Sequence, residues 1–299
     1  MSKVGLIGLG AMGSGMAGSL RRAGHSVQVF DVRREVAEAF AKDGGVAHDT
    51  LASLGAACDV VVSVVVNAAQ TEAVLFGDGT TPGCAASMKP GSVFVMCSTV
   101  DPNWSVTLEA RLEAMGLRYV DAPISGGAAK AASGQMTMMT AGKPEAYAVT
   151  EPFLNAMAAK VYKLGDSAGA GSKVKIINQL LAGVHIAAAA EAMALGLREG
   201  VDAEALYEVI THSAGNSWMF ENRMAHVLAA DYTPLSAVDI FVKDLGIVLD
   251  MARASKFPLP LSSTAHQMFM QASTAGFAKE DDSAVIKIFP GIELPKGKA

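Results

Sequence analysis

Apolar and polar positions follow two different rhythms along this 299-residue chain. Up to about residue 165, short apolar runs alternate with helical stretches, the pattern of βαβ units feeding a parallel sheet. Lys3–Gly8 and Ser26–Asp31 read as the first two strands, with a helix over Ala11–Ala23 between them. Val60–Val66 holds six valines in seven residues, as a central parallel strand buried on both faces requires. Ser92–Cys97, Arg118–Ala122, Met136–Ala141 and Lys160–Leu164 continue the series, and Pro144 opens a helix before the last of them.

The rhythm changes near Gly165. From Gly171 to Glu199 there is no proline and no strand signal, only Ile176, Ile177, Leu180, Leu181, Val184 and Ile186 leading into the run Ala187–Ala190. A helix of that length reaches about 40 Å. It is apolar nearly all round, so it is expected to be buried between domains or subunits. Helices are expected again over Ala203–Ser213, Trp218–Ala229, Ala237–Ser255, Leu261–Ala275 and Asp282–Ile288. The chain therefore divides on paper into an α/β domain over 1–165 and an all-α domain over 166–299, whose long apolar helix points to oligomerisation.

Composition narrows the class. The chain is 51% hydrophobic, 18% charged and 6% aromatic, which excludes a disordered protein. Its mean hydropathy is positive, +0.32, yet no stretch of 18 residues is uninterruptedly apolar, so no membrane span is expected. The net charge is −5, and neither half is basic, so nucleic acid and anionic membranes are not the expected partners. Cys58, Cys84 and Cys97 are too few and too scattered for a disulfide framework or a zinc site, and the N-terminus has no cleavable signal pattern. A reducing cytoplasm fits. The six histidines have no metal-ligand spacing, no metal is expected, and neither a nucleophile elbow nor a P-loop occurs.

Chemistry enters with Gly8-Leu-Gly10-Ala-Met-Gly13, which follows the first strand and opens the first helix. Gly8 permits the tight turn, Gly10 lets a pyrophosphate approach the backbone, and Gly13 lets helix and strand pack closely. The helix N-terminus supplies N–H groups for the phosphates. Asp31 ends the second strand 18 residues after Gly13, where a ribose-binding carboxylate belongs. These features predict a Rossmann dinucleotide-binding domain. A carboxylate at position 31 favours NAD over NADP, and Arg33 and Arg34, which could hold a 2′-phosphate, are the counter-signal.

Three other segments carry candidate groups. Asp121-Ala-Pro-Ile-Ser125-Gly126-Gly127 ends a predicted strand and offers a hydroxyl and backbone N–H groups to a carboxylate. Lys175 lies one turn into the long helix, with Asn178 and Gln179 three and four residues on. A desolvated lysine there can act as a general acid/base, while Lys173 points elsewhere. Lys243-Asp244 is an opposite-charge pair within an apolar helix.

Four of these segments, in order, resemble the β-hydroxyacid dehydrogenases, the family of 3-hydroxyisobutyrate dehydrogenase and tartronate semialdehyde reductase, related to 6-phosphogluconate dehydrogenase. They are GLGAMGSGMAGSL, DAPISGG, GAGSKVKIIN and KDLGIVLD. VNAAQTEAVLFG, HSAGNSWMFENR and EDDSAVIKIF are similar to its L-threonate dehydrogenase branch. The resemblance implies a hydride exchange between NAD and a short hydroxy acid, L-threonate oxidised to its 2-oxo acid, with 3-hydroxyisobutyrate or tartronate semialdehyde as the alternative substrates; a non-catalytic dinucleotide-binding sensor is the rival that Lys175 and Ser125 argue against. It implies that Gly8, Gly10, Ala11, Met12 and Gly13 hold the pyrophosphate and Asp31 the adenosine ribose. Val65, Val66 and Asn67 would line the cofactor cleft, and Thr99 would sit near the nicotinamide ribose. Ser125, Gly126 and Gly127 would bind the substrate carboxylate, Lys175 would be the catalytic acid/base, and Asn178 and Gln179 would meet the substrate. Lys243 and Asp244 would close over the cofactor. Gln179 replaces the second Asn common in the family, and Val65-Val66 replaces its Leu-Pro. A homodimer or homotetramer is expected.

Overall fold

Side-chain alternation along the strands explains why this chain makes a sheet covered on both faces. The computed structural model describes residues 2–297. In it, β1 (Val4–Ile7), β2 (Val27–Phe30), β4 (Val60–Ser63), β5 (Val93–Met96) and β6 (Arg118–Asp121) run parallel, with the two-residue β3 (Val46–Ala47) at one edge. The order is β3-β2-β1-β4-β5-β6, so β1 has β2 on one side and β4 on the other, and the winding reverses there. Val60, Val62, Val93, Val95 and Val120 enter one core, while Val61, Phe94, Met96 and Tyr119 enter the other. Runs of valine without polar alternation are what two buried faces demand.

The valine run does overshoot the strand. β4 stops at Ser63, and Val66 is 47% exposed. The chain leaves the sheet while still apolar, because Asn67 must cap helix α4 (Ala68–Phe76), its side chain accepting the Gln70 N–H at 2.8 Å. Past β6 the sheet turns mixed: β7 (Ile124–Ser125) and β6 pair antiparallel with β8 (Met136–Gly142), and β9 (Ala158–Lys163) pairs parallel with β8. Helix α1 (Gly13–Arg22) lies against α6 (Gly127–Ser133), where a Cβ on Gly15 would come within 2.6 Å of the Ala132 nitrogen. Ser19 Oγ donates to the Ala131 carbonyl at 2.9 Å across the same seam.

The chain forms two compact units, Met1–Lys175 and Ile176–Ala299. Helix α8 (Ala170–Arg198) starts in the first and continues into the second. By length and composition it could cross a bilayer, with hydropathy 1.7 in its most apolar window. Yet Ile186, Ala190 and Met193 on it are fully buried in the second unit's core with Met224, Phe241, Leu245, Phe269 and Val285. That unit is helical: α9 (Ala203–Thr211), α10 (Trp218–Ala229), α11 (Val238–Ala254) and α12 (Pro260–Ala272), followed by 3-10 turns over Asp282–Ile288, where an α-helix was expected. Asp202 and Ser217 cap α9 and α10 by accepting the N–H groups of Ala205 and Phe220.

The 3-10 segment is shaped by buried charge. Arg223 grips Asp282 through Nε and Nη2, and all of Arg223, Asp281 and Asp282 are buried. Asp281 in turn accepts from Ser283 and from the Leu235 N–H. Removing one partner of such a pair strands a charge. Arg223→Ala is therefore expected to lower unfolding free energy by about 3–5 kcal/mol. Urea unfolding followed by circular dichroism measures it, and a loss under about 1 kcal/mol would contradict this account.

Candidate active site

Parallel strands deliver their following loops to one edge of the sheet, so β1, β2, β4, β5 and β6 place five candidate segments side by side. The glycine loop follows β1. Gly8 has φ +92° and its N–H donates to the Phe30 carbonyl of β2 at 3.0 Å. A Cβ on Gly13 would lie 1.8 Å from the Gly8 carbonyl oxygen, so only glycine lets α1 start there. A Cβ on Gly10 would meet nothing within 4 Å. Gly10 is therefore not demanded by packing inside the protein, and its bare backbone leaves room for a ligand. Ala11 and Met12 complete the turn into α1.

Asp31 stands beside this loop at the end of β2, 9% exposed. Its Oδ2 accepts the Leu9 N–H at 2.6 Å, and its Oδ1 accepts the Arg33 N–H at 2.8 Å and the Arg33 Nε at 3.2 Å. Burial works to raise the Asp31 carboxyl, but the hydrogen bonds from Arg33 and Leu9 and the Arg33 charge outweigh it, and the group titrates below its ordinary value. It is a carboxylate at any physiological pH. Arg34 points away, paired with Glu38 at 2.7 Å and Asp49 at 3.0 Å.

The segment after β4 reaches the same place. A Cβ on Gly8 would come within 2.6 Å of the Val64 carbonyl and 3.4 Å of Val65 Cγ1. The Val65 carbonyl accepts from Ser98 Oγ at 2.8 Å, which ties this segment to the one after β5, where Thr99 follows. The Val66 N–H donates to Gln70 Oε1 at 2.8 Å. Ser98 also meets Thr71 Oγ1 at 3.2 Å, a tie between polar side chains that the sequence did not advertise.

After β6 the chain turns through Ala122 and Pro123 into β7, where Ser125 pairs with Thr137. Gly126 has φ +140° and Gly127 φ +74°, and a Cβ on Gly127 would again meet nothing within 4 Å. Lys175, on the first turns of α8, belongs to this same unit and is 7% exposed, whereas Lys173 is exposed. The inward face of α8 is thus Gly171, Ser172, Lys175 and Ile176, as a spacing of three to four residues requires.

In the second unit, four expected residues come together. Gln179 donates to Asp244 Oδ2 at 2.6 Å, Asn178 donates to Gln179 Oε1 at 3.1 Å, and Lys243 Nζ pairs with Asp244 Oδ1 at 2.8 Å. Asp244 is 1% exposed, so a carboxylate mid-helix is held by an amide and an ammonium. The longer Gln179 reaches Asp244 from α8.

A family model for the NAD binding domain of 6-phosphogluconate dehydrogenase matches residues 3–165, and one for the NAD-binding of NADP-dependent 3-hydroxyisobutyrate dehydrogenase matches 169–289. The chain belongs to the 3-hydroxyisobutyrate dehydrogenase-like family of β-hydroxyacid dehydrogenases. An L-threonate dehydrogenase of Cupriavidus necator is 68% identical over 99% of this chain and 98% of its own length. One from Escherichia coli is 52% identical over 99% and 97%. A crystal structure of 3-hydroxyisobutyrate dehydrogenase from Salmonella typhimurium is 52% identical, covers 97% of this chain and 100% of its own, and superposes with a TM-score of 0.92. This family member is thus an NAD-binding oxidoreductase that acts on a hydroxy acid.

The glycine loop, with its open approach at Gly10 and its neighbouring carboxylate, fits a dinucleotide whose adenosine ribose carries free hydroxyls. Asp31→Ala is expected to raise the KM for NAD about 10- to 100-fold, the worth of a hydrogen bond to a charged group. With Arg33 released, turnover with NADP should rise relative to NAD. Initial rates with both cofactors measure this, and an unchanged KM for NAD would contradict it.

Proposed function

We propose that the protein oxidises L-threonate to its 2-oxo acid, 2-dehydro-L-erythronate, with NAD as oxidant and Lys175 as general base. One observation carries the mechanism: Lys175 is buried on α8 in the unit that also holds the glycine loop and Ser125–Gly127, while its neighbour Lys173 faces solvent. The identity of 50–68% with L-threonate dehydrogenases over the whole chain supports the choice of substrate.

In this reading the Ser125 hydroxyl and the backbone N–H groups of Gly126 and Gly127 hold the substrate carboxylate. That fixes the reacting carbon before chemistry begins. Lys175 Nζ, neutral when the substrate is bound, accepts the hydroxyl proton as the C–O bond becomes a carbonyl. Gly8, Gly10, Ala11, Met12, Gly13 and Asp31 would hold NAD, which when bound would supply the hydride acceptor for the same carbon. In the reductive direction Lys175 returns the proton. Asn178 and Gln179 are assigned to the substrate hydroxyls, Val65, Val66, Asn67 and Thr99 to the walls of the cofactor site, and Lys243 and Asp244 to the cofactor. The domains divide at 165/166 in this reading, with the substrate and oligomerisation functions in 166–299.

A second substrate reading is 3-hydroxyisobutyrate, favoured by the 52% identity with the Salmonella typhimurium 3-hydroxyisobutyrate dehydrogenase, with tartronate semialdehyde as the other family alternative. We also infer a homo-oligomer in a reducing cytoplasm, with no nucleic acid or membrane partner. Val174, Ile177, Leu181 and Leu195 are 41–63% exposed along one face of α8, and three free cysteines are buried.

Rates with L-threonate, 3-hydroxyisobutyrate and glycerate, each with NAD and with NADP, test the substrate. L-Threonate with NAD should give the highest kcat/KM, and a higher value for another acid would replace it. Lys175→Ala should lower kcat by about 100-fold or more, in the range general acid–base catalysis supplies, with NAD binding unchanged. Near-normal turnover in that variant would remove Lys175 from the mechanism. Light scattering at micromolar concentration should give a dimer or tetramer mass, and a monomer would contradict the assembly.

A further inference from the structure

Asp121 is the last residue of β6, and four residues later the chain reaches Ser125. Its carboxylate is fully buried. Its closest donors come from the start of α8: Oδ2 accepts the Gly169 N–H at 2.9 Å and the Ser172 N–H at 2.9 Å, and Oδ1 accepts the Ser172 hydroxyl at 2.7 Å, with the Ser105 hydroxyl adding to them from another helix. Residues 169 and 172 flank the first turn of α8, whose N–H groups have no helical acceptor. Asp121 thus does for α8 what a capping side chain does, from a strand some fifty residues earlier.

Two neighbouring contacts fix the same turn. A Cβ on Gly171 would lie 2.4 Å from the Met139 carbonyl and 3.0 Å from the Asp121 carbonyl, so the helix start rests directly on the backbone of β6 and β8. Glu109, 8% exposed, accepts the Ala168 N–H at 3.1 Å just before the turn. Ser172 and Lys175 are three residues apart and share the inward face. A full carboxylate is an expensive cap in a dry interior, where a neutral amide or hydroxyl would cap at lower desolvation cost. Its two oxygens, however, collect three donors at once, which no neutral side chain of that size does.

We propose that Asp121 is the positioning residue for Lys175: it holds the first turn of α8 at the end of β6, and so sets the lysine against the Ser125–Gly127 loop that leaves the same strand. The proposal rests on the reading of Lys175 as the acid/base. One carboxylate then spans both halves of the substrate site, its main chain leading into the carboxylate-binding loop and its side chain anchoring the catalytic helix. The Asp121 side chain is closed off from solvent, so it acts through the helix it caps. Burial pushes its carboxyl above the ordinary value while the Ser172 and Gly169 hydrogen bonds pull it back.

The test uses Asp121→Asn and Ser172→Ala in the full-length protein, with whichever hydroxy acid the wild type turns over fastest. The readouts are kcat per folded protein, KM, the NAD dissociation constant, Tm, and the primary isotope effect with substrate deuterated at the reacting carbon. In Asp121→Asn, kcat should fall about 10- to 100-fold, the effect of an ångström-scale misplacement. NAD binding should stay within twofold, and the isotope effect should rise as the chemical step becomes limiting. Ser172→Ala loses one of the three donors at the start of α8 and should show the same changes at smaller size, about threefold in kcat. It decides the matter if the Asp121 variant does not fold. A lowered Tm with kcat per folded protein and isotope effect both unchanged would make Asp121 a purely structural cap and overturn the proposal. Lys175→Ala run in parallel separates the two levels. If it is inactive and the Asp121 and Ser172 variants behave as wild type, only the positioning role falls. If it turns over normally, the lysine reading falls and takes this proposal with it.

Discussion

A buried carboxylate must have its oxygens filled, and at Asp121 that requirement organises the first unit. The side chain is sealed from water at the end of β6, so its acceptors draw in the Gly169 and Ser172 N–H groups at the start of α8 and the Ser172 hydroxyl. Two elements far apart in sequence are thereby joined at the carboxyl edge of the sheet. The parallel strands supply the rest of that edge, since each loop after β1, β2, β4 and β5 emerges beside the next. The glycine loop, Asp31, the Val64–Asn67 segment and Thr99 become neighbours because the strands that carry them are neighbours.

The second unit meets the same constraint differently. There, buried charges are paired in clusters, Arg223 with Asp281 and Asp282, and Asp244 with Gln179 and Lys243. Its core joins the Ala and Met side chains of α8 to aliphatic residues such as Ile186, Leu245 and Val285 and to the stacked rings of Phe241 and Phe269, whose centroids are 5.1 Å apart. The positive mean hydropathy of the chain is accounted for by these two cores, one a doubly covered sheet and the other a set of close-packed helices.

What could be read from the residues follows from what leaves a local signature. Parallel strands buried on both faces appear as apolar runs, so β1, β4 and β5 were legible, as were β2 and β6 despite Gln28, Arg118 and Asp121 within them, and the glycine spacing marked the turn into α1. Helical spacing put Lys175 and Lys173 on different faces, but spacing alone favours a solvated lysine at either position, and only the family resemblance gave Lys175 a role. The two-residue strands β3 and β7 were not legible, because pairing with a neighbour defines them and two residues carry no period. The valine run past Ser63 misled, since Val65 packs beside the glycine loop and stays apolar outside the sheet. The 3-10 geometry of 282–288 answers to Arg223, fifty-nine residues away. The Asp121–Ser172 and Gln179–Asp244 contacts likewise join positions 51 and 65 residues apart, and no local pattern announces them.

The seam at Gly15 has a consequence for binding energetics. With the backbone of α6 lying directly on α1 and Ser19 bonded across it, the turn that begins at Gly8 and the loop that ends at Gly127 are parts of one solid body. Neither has to be ordered when a ligand arrives. Loop ordering on binding costs about 0.5–1.5 kcal/mol for each immobilised side chain, and this scaffold meets that cost during folding instead. The first unit therefore fixes these two segments against each other through its own packing.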